Sequence, residues 1–239
     1  MRAQRVRALL MGGQACVLYG AAEFSRDTDL VILADAANLK RLRLALAELQ
    51  AEVIAVPPFQ IRHLRRGHAV HFRCLHPDLL RMRVDVMSRL RGVGPFAGLW
   101  RRRTTVTLPG GFSFDVLSLP DLVRAKKTQR DKDWPMLRRL VEAHYFQGRD
   151  HPTSAQVRFW MQELRSPELL IEVARRHRIA CERAVRRRPI LQYALHGDQV
   201  ALEAALHQEE NREREIDRRY WQPLRTELER LRRQRVRGA

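Results

Sequence analysis

Residues 11–33, MGGQACVLYGAAEFSRDTDLVIL, place a diglycine, Gly12-Gly13, ahead of a short helical pattern and then two aspartates, Asp27 and Asp29, at the mouth of an apolar run. The run DTDLVIL is rich in leucine and β-branched residues and reads as a strand entering the core. On a strand, positions i and i+2 face the same side, roughly 7 Å apart. Two like charges that close force one acid to take up a proton unless a cation or a polar network compensates them. The stretch RVRALLM before the diglycine reads as a short element that delivers the chain to that turn.

Working outward, ANLKRLRLALAELQ sets Leu39, Leu42, Leu46 and Leu49 at helical spacing, with Asn38 as the expected cap. HAVHFRCL and LRMRVDVM alternate like strands around the turn HPD, so a hairpin is expected whose second arm carries Asp85. TTVTLP and FSFDVL flank Gly110-Gly111, a residue type that two-residue hairpin turns favour. From residue 119 the pattern is helical. SLPDLVRAKKTQR reads as one helix, and DKDWPMLRRLVEAHY as another, with Pro135 in its first turn and a stripe of Leu137, Leu140 and Val141. QGRDHPTS, residues 147–154, is the expected linker between a domain at 1–148 and an all-helical domain at 149–239. Helix breaks are expected near Pro167, Pro189, Gly197 and Pro223.

The net charge is +18, with 45 Lys and Arg against 27 acids, which makes anionic partners the expectation. Only four of the basic residues are lysine, and Lys126, Lys127 and Lys132 fall close together. Cys16, Cys74 and Cys181 are too widely spaced for a disulfide framework or a Cys-x-x-Cys site, which points to a reducing, cytoplasmic setting. The apolar run at the N-terminus is too short for a signal peptide or a membrane span.

Oxygen-only ligands such as Asp27 and Asp29, with Asp85 as a third strand-borne carboxylate, favour Mg²⁺ or Mn²⁺ over zinc. Gly12-Gly13 opening a helix offers bare amides to a phosphate. His63, His68, His71, Cys74 and His76 are residue types that bind zinc. His68 and Cys74 share a strand face but lie about 20 Å apart, and with no second ligand pair the cluster is not expected to hold the metal.

LMGG followed by DTDL, with Asp85 later, resembles the signature of the polymerase-beta-type nucleotidyltransferase superfamily, and in particular its small bacterial, toxin-like members. The resemblance covers about residues 5–145. It implies an α+β fold, a mixed sheet flanked by helices, followed here by an all-helical C-terminal region. It implies that Asp27, Asp29 and Asp85 bind Mg²⁺ or Mn²⁺ and carry transfer of a nucleoside monophosphate from a nucleoside triphosphate to an acceptor hydroxyl on RNA, tRNA or protein. Gly12 and Gly13 would hold phosphate oxygens, Lys126 or Lys127 would neutralise the triphosphate, and Arg130, Lys132 and Asp133 would support the rim. Toxin-like members often carry Arg-x-Thr-x-Asp-x-Asp; here Glu23 and Ser25 take those places, and Arg26, displaced next to Asp27, would either substitute as a nucleotide ligand or form only a surface ion pair.

The bland alternatives are solvated acids at a strand entry for Asp27 and Asp29, and a solvated helix face for the lysines. ARRHRIACERAVRRRP, residues 174–189, could track a phosphate backbone, whereas QEENREREIDRRYWQPLRTELERLRRQR reads as an exposed helix laced with i,i+4 pairs. Tyr220 and Trp221 are expected to be packing anchors. Two further roles stay open: a non-catalytic nucleic-acid-binding adaptor retaining the fold, and a helical region that receives an antitoxin or a second copy of the chain.

Overall fold

In the computed structural model, residues 1–79 and 81–237 are described. The first residues to form regular structure are β1 (Ala8–Met11) and α1 (Gly12–Leu18), which begins directly at the diglycine. The chain returns as β2 (Asp27–Ile32), antiparallel to β1, with Met11 opposite Asp29 and Ala8 opposite Ile32. Leu30, Val31 and Ile32 are buried, so the strand does run from its acids into the core.

Helix α2 (Ala36–Glu48) follows, but its cap is Asp35, whose carboxylate accepts from the Asn38 amide at 2.6 Å. Asn38 lies inside the first turn and is fully buried. Its side chain instead bridges to β1, accepting from Arg7 N at 2.8 Å and donating to Arg7 O and Leu33 O at 3.0 and 2.9 Å. A buried amide needs all those partners, and that demand outweighs its capping propensity.

Strand β3 (Ala51–Val53), helix α3 (Ile61–Arg66), β4 (Val70–Cys74) and β5 (Arg83–Met87) come next, with a single 3₁₀ turn, Pro77–Leu79, inside the expected β4–β5 hairpin. The sequence segment assigned to the second arm starts at Leu80, which lies outside the described residues. Helix α4 (Phe96–Arg102) leads to β6 (Thr104–Thr107) and β7 (Ser113–Val116), joined by a turn in which Gly110 and Gly111 both have positive φ. That connection is longer than the two residues expected: Leu108 N bonds Phe112 O at 2.7 Å. Helix α5 (Leu119–Ala125) closes this part.

Among the described residues these strands form one mixed sheet in the order β3-β4-β5-β2-β1-β7-β6. The β2–β5 and β1–β7 pairs are parallel and the others antiparallel. The α+β class, with a mixed sheet and flanking helices, is as expected.

The remaining helices are α6 (Asp133–Gly148), α7 (Ser154–Glu163), α8 (Pro167–Arg176), α9 (Arg178–Val185), α10 (Leu191–His196) and α11 (Gln199–Arg237). Pro167 occupies a helix start and Gly197 a left-handed helix end, as anticipated. Pro223 breaks nothing: α11 runs straight through it.

The chain divides into two compact units. One comprises residues 1–18, 22–125 and 219–239, and the other residues 19–21 and 126–218. The division therefore falls at Lys126, whereas the segment 147–154 joins α6 to α7 within the second unit. The reason is packing. The α6 stripe of Leu137, Leu140 and Val141 is fully buried, and Tyr145 stacks edge-on against Trp160 of α7 at 5.1 Å, so α6 belongs with the helices after it.

Within that second unit Arg188, buried, donates to Met161 O at 2.8 Å, to Leu164 O at 3.1 Å and to Glu209 at 2.8 Å. This arginine of the basic 174–189 segment is thus a structural group, while Arg175, Arg183, Arg186 and Arg187 stay exposed. No described helix is long and apolar enough to cross a membrane.

Candidate active site

The β2–β5 register places Asp29 opposite Asp85 and Asp27 opposite Arg83. The β4–β5 register places His71 opposite Asp85. Register partners on adjacent strands project to one side of a sheet, so Asp27, Asp29, Asp85, Arg83 and His71 share a face. This juxtaposition was expected for the three acids.

Gly12 is what lets the chain approach them. With φ at +68°, a Cβ built there would lie 1.8 Å from Asp29 Oδ2 and 2.7 Å from Asp29 Cβ. At Gly13 a Cβ would meet Ser25 Oγ at 2.4 Å. Both glycines are required by close approach, and the Asp29 carboxylate is seated directly against the diglycine turn.

Asp85 is not idle. Arg83 grips it with two parallel bonds, Nε to Oδ1 and Nη2 to Oδ2, both 2.8 Å. His71 Nδ1 lies 2.8 Å from Oδ1 and 3.0 Å from Arg83 Nη2. Burial pushes the Asp85 carboxyl up, but the bonds from His71 and Arg83 outweigh it and leave the group below its ordinary value. Arg83 in turn is held more firmly protonated, first by its bond to Asp85 and further by the fields of Asp27 and Asp29.

A carboxylate depressed in the folded state adds stability that is complete above its unfolded pKa of about 4 and disappears as pH falls below it. Urea unfolding followed from pH 7 down to pH 3 should therefore lose stability on the acid side. That loss should be shallower in Asp85→Asn than in the wild type.

Arg83 and His71 were missed from the sequence. The signal for Arg83 was present, since RMRVDVM puts it two residues before Asp85 on the same face. His71 required the β4 register, which only the folded sheet supplies.

The carboxylate oxygens of the three aspartates are not tightly gathered. Among the described residues, the set of three His, Cys, Asp or Glu donor atoms lying mutually within 4.8 Å is His63, His68 and Glu227. Asp27 and Asp29 nonetheless fit a hard divalent cation by donor chemistry. Asp85 fits only if it exchanges Arg83 for the ion.

The remaining expected residues are distributed differently. Arg26 is exposed beside Asp27, and Ser25 Oγ donates to Asp27 O at 3.3 Å. Helix α5 ends at Ala125, so Lys126 and Lys127 follow it and do not lie on a helix face. Lys126, 8 % exposed, places Nζ 3.1 Å from Asp133 Oδ1, and Asp133 also receives Thr128 Oγ1 at 2.5 Å and Arg130 Nε at 2.7 Å. Lys127 Nζ lies 2.7 Å from Glu163 Oε2. The cations expected to neutralise a triphosphate are therefore engaged with protein carboxylates in the second unit, and Asp133 is the centre of a structural ion cluster.

Tyr220 and Trp221 meet edge-on at 5.3 Å, and a Cβ on Gly67 would touch Tyr220 Oη at 3.3 Å, consistent with packing anchors. No protein-family model matches the chain, and no curated protein matches it, so the function rests on the residues just described.

Proposed function

We propose that the chain is a Mg²⁺- or Mn²⁺-dependent nucleotidyltransferase that moves a nucleoside monophosphate from a nucleoside triphosphate to an acceptor hydroxyl. The observation that supports this most directly is the in-register pair Asp29–Asp85 on adjacent parallel strands, with Asp27 on the same face and Gly12 pressed against Asp29. A divalent ion held by Asp27 and Asp29 would supply polarisation of the phosphate and a lowered pKa for the attacking hydroxyl.

The chain's own groups do the rest. Asp27 and Asp29 supply anionic donors on the sheet face. Arg83, if released from Asp85, would meet phosphate oxygens with the planar fork that suits them. His71 keeps Asp85 oriented during that exchange. The overall positive charge favours RNA, including tRNA, as the acceptor.

The test is incubation with each labelled nucleoside triphosphate, Mg²⁺ and bulk tRNA. Transfer of label should occur with the wild type and fall by about 10²–10³-fold in Asp29→Ala, the scale of losing one preorganised electrostatic contact in a transfer reaction. Absence of transfer with every triphosphate, with RNA or protein as acceptor, would reject the proposal.

A second function is favoured by the bidentate Arg83–Asp85 pair, which already compensates the third carboxylate without a metal. In that case the chain is a non-catalytic RNA-binding adaptor. It would bind tRNA with a steep salt dependence that Asp29→Ala leaves unchanged.

A further inference from the structure

Two histidines and a glutamate remain unused by the site above. His63 lies on α3, and His68 follows its end. Gly67, at φ +109°, turns the chain in a Schellman motif in which Gly67 N bonds Leu64 O at 3.0 Å and His68 N bonds His63 O at 3.1 Å. This fold-back brings the two imidazoles to 6.0 Å between ring centroids. The third group, Glu227, comes from α11, 159 residues later, and its Oε2 lies 3.0 Å from His68 Nε2.

The helix presents it on a consistent stripe. Leu224 and Tyr220 stand three and seven residues before Glu227 on the same helical side, and both approach Gly67, where a Cβ would meet Leu224 Cδ1 at 3.6 Å. Glu227 and the two residues that pack on the turn thus face the same short segment of the chain, within one compact unit.

The burial is unusual for such a cluster. His63 and His68 are 2 % and 1 % exposed, yet each keeps a buried Nδ1 with no hydrogen-bond partner. A buried polar atom without a partner loses its hydration and regains nothing. A simple His–Glu ion pair accounts for one nitrogen of His68 and leaves both Nδ1 atoms unexplained.

We propose that His63, His68 and Glu227 form a zinc site that fastens the C-terminal segment of α11 to the α3–β4 turn. Two imidazoles and one carboxylate are a donor set suited to Zn²⁺ and poor for Mg²⁺. The three donor atoms already lie within 4.8 Å of one another, close to the roughly 3.4 Å spacing that a tetrahedral ion with bonds of about 2.1 Å imposes.

The groups around the site fit this assignment. Arg66, on Oε1, occupies the carboxylate oxygen opposite the one that faces His68, so it can remain as the outer partner that orients a metal ligand. Arg62 Nε donates to His63 Nε2 at 3.3 Å, a long bond, so the partnerless nitrogen that His63 offers a metal is Nδ1.

This proposal is independent of nucleotidyl transfer. It is tested on untagged full-length protein, stripped of metal with a chelator, reloaded with Zn²⁺ or Co²⁺, desalted and counted for metal. Stoichiometric retention is expected, with the visible absorption of low-coordinate Co²⁺, and with a Tm about 5 °C higher at a hundredfold excess of zinc over Kd. Retention should persist in Asp29→Asn combined with Asp85→Asn, which excludes the acidic sheet face as the binder. It should be lost in Glu227→Gln and in His68→Asn, both of which keep a polar side chain and are checked for folding by circular dichroism. Folded wild type that retains neither ion, or variants that retain as much as the wild type, would overturn the site and leave a buried ion pair.

Discussion

Gly12→Ala should cost about 3 kcal/mol of stability or more, and with it any transfer activity. Two separate penalties act at this position. Alanine at φ +68° is held in a left-handed conformation, worth about 1–3 kcal/mol. The added methyl would also sit 1.8 Å from the Asp29 carboxylate oxygen and, decisively, 2.7 Å from Asp29 Cβ. Rotating the Asp29 side chain relieves the first contact but not the second, so the β1–α1 turn or β2 must shift. For a chain of this length the loss corresponds to a Tm lower by about 6–12 °C. Gly94→Ala is the control, because a Cβ there meets nothing within 4 Å and the change should be within about 0.5 kcal/mol. Equal melting temperatures for Gly12→Ala and the wild type would mean that the turn is not seated against Asp29.

The second large effect concerns Lys126. If its ammonium balances Asp133 as the geometry indicates, Lys126→Met strands a nearly fully buried carboxylate with only Thr128 and the solvent-exposed Arg130 for company. Removing one partner of a buried pair costs about 3–5 kcal/mol, and the remaining contacts put this case near the lower end. Asp133 lies below its ordinary carboxylate value because Lys126, Thr128 and Arg130 together outweigh the opposing effect of burial. The Lys126→Met variant should therefore show a raised Asp133 pKa and a lower urea midpoint at pH 7. Adding Asp133→Leu should recover most of the loss, since an apolar pair of similar volume can replace a buried ion pair at little cost. A phosphate-binding lysine with no structural duty would leave the urea midpoint unchanged and alter only triphosphate affinity.

The strands and helices that carry strong local signals were legible. DTDLVIL is β2 because its continuous run of leucine and β-branched residues suits a buried strand, and the leucine stripe of α2 packs as its spacing demands. The α6 stripe is likewise buried where it was expected. What local pattern could not settle was competition between duties of one residue. Asn38 has the chemistry of a cap, but three backbone partners across β1 and the end of β2 claim it first. Pro223 has the chemistry of a break, yet α11 continues on both sides of it.

The histidines show the same limit. Read along the chain, His63, His68, His71, Cys74 and His76 form one suggestive cluster on a strand that cannot fold around an ion. In three dimensions they separate: His71 joins Asp85, while a glycine turn folds His68 back on His63, and the third donor arrives from the far end of the chain.

By itself the sequence determined the pattern of strands followed by helices and the shared side of Asp27 and Asp29 on one strand, because periodicity is a property of neighbouring residues; that Gly12 is required by close approach to Asp29 came only from the fold. The tertiary structure decided which distant groups reach these carboxylates, since His71 meets Asp85 through strand register and Lys127 meets Glu163 through helix packing. It also placed Glu227 beside His68, because contacts between residues 159 positions apart are set by how whole elements bury their apolar faces.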